Sequence, residues 1–284
     1  MNASRSPHLK VGLLALLLLF LGAVGAGAAT YDLTAEATTL TMPDGVSVPA
    51  WGYKLTGSVD AATVPGPEIR VPAGDSTLIV NLTNSLPEPT SLHIIGQTMT
   101  LPGAPTYDGG RVMSFVKETL PGGTVEYRWD NLNPGTYMLQ SATNPAKQVQ
   151  MGLFAPVIHD WADGMAYEDV PYDDDRVLVF HEIDPEIHAA IDGGTYGPGG
   201  TITSSVFRHP IYYLINGAGY PQTGLADVAA GDTVLLRFVN GGLETHTPMI
   251  LNKYLSVVAQ DGIAKNHPQE TYGFELNAAG TMDA

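Results

Sequence analysis

The chain has 284 residues with 29 acids against 13 bases, a formal charge of −16 that repels phosphate backbones and disfavours nucleic acid as a partner. It has no cysteine, which excludes disulfides, thiolate nucleophiles, iron–sulfur clusters and any thiolate-held metal. Abundant Gly (32) and Pro (21) with only 15% charged residues suit an all-β protein of short strands and tight turns, and the length suits two domains.

Residues 1–28 read as a secretory leader. Arg5 and Lys10 precede an uncharged apolar run from Val11 to Val24, and Ala26-Gly27-Ala28 offers a small-x-small cleavage point before Ala29. The run is shorter than the ~20 residues a spanning helix needs, so no stable membrane span is expected after cleavage. The mature chain would carry −18, having lost two bases and no acid. The expected location is outside the cytoplasm, periplasmic or extracellular.

Opening strands are predicted at Tyr31–Thr34 and Val46–Trp51 around a Pro43-Asp44-Gly45 turn. Thr77–Asn84 alternates apolar and polar residues as a half-buried strand does. Further strands are predicted at Val112–Val116, Thr124–Trp129, Gly135–Gln140 and Gly152–Ile158. The polar stretch 161–175, with its acidic run Asp173-Asp174-Asp175, reads as a solvated linker. It separates a first domain over 30–160 from a second over 176–284, which opens on the strand Arg176–His181 and continues through a glycine-rich loop at Gly193–Gly200.

The two halves repeat each other. "VPAGDSTLIVNLTNSL" at 71–86 matches "VAAGDTVLLRFVNGGL" at 228–243, and each is followed by a histidine, His93 or His246. "VKETLPGGTVEY" at 116–127 resembles "FELNAAGTMDA" at 274–284, which aligns the turn Gly122-Gly123 with Ala279-Gly280. The first half runs on for about 30 residues past that point, so the second domain is expected to lack its closing strands.

These segments, with "NLNPGTYMLQSATNPAKQVQMGLFAPVIH" and "YYLINGAGYP", resemble the first two domains of multicopper oxidases, the laccase and copper-efflux oxidase group. The resemblance implies two consecutive cupredoxin-like Greek-key β-barrels or sandwiches and copper as cofactor. It also implies His-x-His pairs for a three-copper cluster, two of them in the first domain. Here the first pair reads His93-Ile94-Ile95 and the second Gln140-Ser141-Ala142. Only His93 keeps a ligand identity, as a vestigial copper ligand. Ile95 and Ala142 have no lone pair to offer, and a Gln amide is a poor substitute for imidazole. The electron-accepting copper needs a Cys thiolate, which this chain lacks.

Two readings follow. The chain is a cupredoxin scaffold or binding module with a degenerate copper cluster, or it is the front of an oxidase using copper and O₂ whose catalytic centres lie past Ala284 or on a partner. The expected partners are a third cupredoxin domain or an oligomer mate. A third reading, a metal-binding module, would use His93 or the group His181, Glu182, Asp184, Glu186 and His188. That group does not follow the His-Glu-x-x-His spacing of zinc proteases. His246 reads as structural. Met99, Met113, Met138 and Met151 are scattered and read as core filling. No Gly-x-Ser-x-Gly elbow or phosphate-cradling loop is present.

Overall fold

The computed structural model describes residues 27–100, 103–223 and 228–284. The predicted leader lies outside the described residues as far as Ala26, whereas Ala28 already opens the first strand. Among the described residues no helix is long and apolar enough to cross a membrane.

The first unit begins with the hairpin β1 (Ala28–Thr41) and β2 (Ser47–Leu55). β3 (Ile69–Val71), β4 (Thr77–Asn84) and β5 (His93–Ile94) follow. A small hairpin, β6 (Thr106–Asp108) and β7 (Arg111–Ser114), leads to β8 (Thr124–Asp130) and β9 (Gly135–Gln140). A one-turn helix, α1 (Pro145–Gln148), precedes β10 (Phe154–His159). Two four-stranded sheets result, ordered β2-β1-β4-β8 and β3-β10-β9-β5.

β4 shows why the residues choose this arrangement. Leu78, Val80 and Leu82 point to one face and are fully buried. On the other face Asn81 reaches Asp32 at 2.8 Å and Thr83 reaches Thr124 at 2.9 Å. A period of two in the sequence therefore becomes one dry and one wet face. Leu33, Tyr127 and Trp129 join β4's apolar side, and Ile69, Ile94, Leu139 and Val157 come from the facing sheet to close one core. Each such aliphatic side chain stabilises the fold by roughly 1.5–3 kcal/mol.

The segment read as a linker is built instead. It carries the hairpin β11 (Met165–Tyr167) and β12 (Val170–Pro171), and the next strand, β13 (Asp174–Ile183), starts inside the acidic run. Asp173 in that run is exposed, yet all three carboxylates have partners within the protein. Asp173 accepts the Thr233 amide at 2.8 Å, Asp174 pairs with Arg176, and Asp175 pairs with Arg70 and Arg237. After β13 comes a helix that strand patterning alone does not suggest, α2 (Pro185–Asp192). Asp184 caps it, accepting from the amides of Glu186 and Ile187, and Pro185 sits at its first position, where a missing N–H costs nothing.

β14 (Tyr212–Ile215), β15 (Ala218–Gly219), β16 (Val234–Asn240), β17 (Leu255–Gln260), β18 (Ile263–Thr271) and β19 (Thr281–Asp283) complete a seven-stranded sheet ordered β15-β14-β13-β16-β19-β17-β18. The parallel pair β13–β16 and the antiparallel pair β16–β19 reproduce β1–β4 and β4–β8. Among the described residues the second unit has no equivalent of the sheet β3-β10-β9-β5.

The repeat holds down to single hydrogen bonds. The Asn84 amide donates to the carbonyls of Glu88 and Thr119 and accepts from the Leu86 amide. Asn240 does the same with Glu244, Leu276 and Gly242. Gly122 and Ala279 both turn with positive φ beside these asparagines. The register corrects one alignment. Thr90 exchanges backbone bonds with Thr119, and His246 does so with Leu276, so His246 is the counterpart of Thr90. Counting on three residues, Met249 is the counterpart of His93.

The units share a seam. Ala50, Val64, Met138, Val149 and Phe154 of the first pack with Val179 and Val239 of the second. Ile187 and Ile191 of α2 join the first unit's core. Beside them Arg237, fully buried, holds Asp175 and Asp160 at 2.7 Å each, under the ring of Tyr172.

Candidate metal centre

The strand pair β5–β9 brings together the positions where the resemblance places copper ligands. His93 stands directly opposite Gln140 in the ladder, and the His93 Nε2 lies 3.0 Å from the Gln140 amide nitrogen. With the proton assigned to Nδ1, the Gln140 amide donates to the Nε2 lone pair. Burial pushes the His93 imidazole below its ordinary pKa, which favours this neutral form. Phe115 lies beside the ring, with centroids 6.1 Å apart.

The other two positions are apolar and occupied in that sense. The amide of Ile95 donates to the Met138 carbonyl at 3.1 Å, and its side chain packs against the apolar seam. Ala142 is fully buried, and its carbonyl accepts the Phe115 amide at 3.1 Å. One imidazole, an amide and two hydrocarbon side chains make up the donor set.

The second cluster singled out in the sequence does not converge. Asp184 is spent on capping α2 and on the His209 amide. Glu186 is exposed. The His188 Nδ1–H donates to the Pro49 carbonyl at 2.7 Å, tying α2 to β2. Glu182 is buried and accepts the amides of Leu243 and Glu244. Burial pushes its carboxyl up, but His246 and those two amides outweigh that and leave it below its usual value. His246 lies 3.4 Å from Glu182 without the alignment of a hydrogen bond, and its ring rests on Phe180. His181 has no partner on either ring nitrogen and meets Phe154 edge to face. Burial drives its pKa down to about 4. Among the described residues no group of three His, Cys, Asp or Glu side chains is arranged to hold a metal ion. Of the methionines, Met138 and Met151 are core and Met99 packs against it.

Sequence reasoning missed the buried charge group at Arg237. Burial lowers and three carboxylates raise the guanidinium pKa, and the net shift is upward, so it stays charged. Burial pushes the Asp283 carboxyl up, and the Tyr167 hydroxyl donates to it at 2.5 Å. The available signal was an arginine at a strand position of β16 whose neighbours, Leu236 and Phe238, are apolar.

Two family models described as multicopper oxidase match residues 41–165 and 190–284. The chain belongs to the multicopper oxidase family. The multicopper oxidase MmcO of Mycobacterium tuberculosis is 26% identical over 207 residues, covering 64% of this chain and 38% of the relative. Laccase-2 of Botryotinia fuckeliana is 27% identical over 243 residues, covering 81% of this chain and 38% of that one. The chain thus spans well under half the length of either curated relative. A blue copper oxidase from Nitrosomonas europaea superposes with a TM-score of 0.70 over 90% of this chain and 74% of its own, at 20% identity. That likeness shows the cupredoxin fold, with the second unit represented by one sheet among the described residues.

Proposed function

We propose that this multicopper oxidase relative is exported and serves as a cupredoxin scaffold or binding module, its first unit no longer assembling a copper cluster. The observation that carries the reading is the His93–Gln140 contact. The one imidazole kept at the four ligand positions has its lone pair engaged by an amide donor, with Ile95 and Ala142 beside it. This donor set does not fit a copper cluster, which needs several imidazoles on each metal. The apolar run before Ala26 supports export.

The test is metal content. The purified chain, dialysed against copper and then desalted, is expected to hold far less than one copper per chain. It should show no blue absorption and no phenol oxidation. Stoichiometric copper retained by the wild type, and lost in His93→Ala, would overturn the scaffold reading.

A second reading is favoured by two observations, the 38% coverage of the curated relatives and the single sheet of the second unit. In it these residues are the front of a copper- and O₂-dependent oxidase whose catalytic centres lie beyond Ala284 or on a partner. Sequencing the reading frame past Ala284 decides it: His-x-His and His-Cys-His runs there support this reading, and a stop codon with no such run refutes a continuation.

A further inference from the structure

The second unit carries an apolar patch at the base of the β17–β18 hairpin. Met249, Leu251, Tyr254 and Tyr272 are 54%, 78%, 75% and 42% exposed. They adjoin one another. The Tyr254 and Tyr272 rings meet edge to face with centroids 6.0 Å apart, and Met249 bridges Gly273, the residue after Tyr272. Single surface hydrophobes need no explanation, but a contiguous group marks a contact.

The internal repeat shows why this place is bare. Met249-Ile250-Leu251 stands where His93-Ile94-Ile95 stands in the first unit. There His93 and Ile94 form β5 and pair with β9, and the Ile95 amide donates to the Met138 carbonyl. Among the described residues the second unit has no equivalent of β9. We propose that a second copy of the chain covers this patch, the two copies joined about a two-fold axis.

Two features favour a copy of itself as the occupant. The first is area. At roughly 200 Å² for each whole side chain, the four together expose on the order of 500 Å². A two-fold contact sets the same patch on both partners, so it buries about twice that, close to the ~1,000 Å² a specific interface needs. Ile250 and Phe274 pack into the second unit's core behind the patch, so its backing is fixed before association. The second is charge. A chain at −16 repels its own copy unless the contact is neutral or mixed in sign. The four patch residues are uncharged, and the exposed groups next to them, Lys253, Glu270 and Glu275, carry both signs. A two-fold axis can set the base of each copy against an acid of the other.

Sedimentation equilibrium of the purified chain across the micromolar range is the test. The wild type should show a monomer–dimer equilibrium. Leu251→Asp brings like charges together across the axis and should weaken association at least roughly tenfold. Tyr254→Ser should weaken it several-fold by removing an aromatic anchor. Both positions are exposed, so denaturation midpoints of the monomers should match the wild type. Ile263→Asp, at a 72% exposed position on the far end of the same hairpin, should leave association unchanged. A wild type that stays monomeric, or that assembles beyond a dimer, overturns the inference. So does an unchanged association in Leu251→Asp, or an equal weakening by Ile263→Asp. Copper content plays no part in this measurement, so a monomeric wild type removes the dimer and leaves the scaffold reading where it stands.

Discussion

At residue scale, His181 makes the seam sensitive to acid. Its pKa is about 4 in the fold, against about 6.5 when unfolded. The folded state therefore binds fewer protons, and its stability is complete above pH 6.5 and declines as pH falls towards 4. His188, also depressed chiefly by burial, acts in the same direction. Between pH 7.5 and 4.5 the loss from His181 should be about 2–3 kcal/mol. Urea denaturation at the two pH values measures it, and His181→Gln should shrink the difference by that amount. A second prediction concerns Gly242. A Cβ there would sit 1.9 Å from the Glu182 carboxylate, which is held by two backbone amides and cannot retreat cheaply. Gly242→Ala should cost roughly 1–3 kcal/mol, read as a lower denaturation midpoint with an unchanged slope, whereas Gly103→Ala, where φ is not positive and no atom lies within 4 Å of the new Cβ, lacks the clash and serves as the control.

At the scale of elements, the buried Arg237 on β16 decides how the second sheet docks. Its guanidinium serves Asp160 just past β10 and Asp175 on β13, and Arg70 on β3 reaches the same Asp175 at 2.9 Å. Arg237→Met should destabilise the molecule by roughly 3–5 kcal/mol, because carboxylates remain without their partner. Adding Asp175→Asn should recover part of that loss in a double-mutant cycle. The elements legible in the sequence are those set by local pattern. β4 and β9 fall at the predicted residues because alternation and the flanking Gly and Asn are enough to specify them. α2 was readable from Asp184-Pro185 with Ile187, Ala190 and Ile191 on one face, but the strand leading into it masks the change of period. The pairing of Asp175 is not legible in the acidic run because its partners, Arg70 and Arg237, lie 105 and 62 residues away. The His93 and His246 correspondence failed because it matched residue type rather than register: His93 lies nine residues past Asn84, whereas His246 lies six past Asn240.

For the whole molecule, the seam binds the halves too closely for the 161–175 segment to be the weak point. Tyr167 there is buried, and α2 caps the first unit's core. Limited proteolysis should cut first in the exposed glycine-rich loop after α2, near Gly193–Gly199, and only later between Asp160 and Tyr172. Peptide mapping of the first fragments checks this; an initial cut at 161–172 would mean the seam opens readily. The strand order of the second sheet also sets a timetable for synthesis. β19 lies between β16 and β17 although it is the last of the seven to be made. The hairpin β17–β18 therefore leaves the ribosome with no neighbour to join, and an isolated two-stranded hairpin is marginal in water. At ~5–20 residues per second it waits on the order of a second, until Thr281–Asp283 emerge and bridge it to β16. For that interval β16 presents an open edge, and a chaperone able to occupy β19's place would hold the second unit half-assembled.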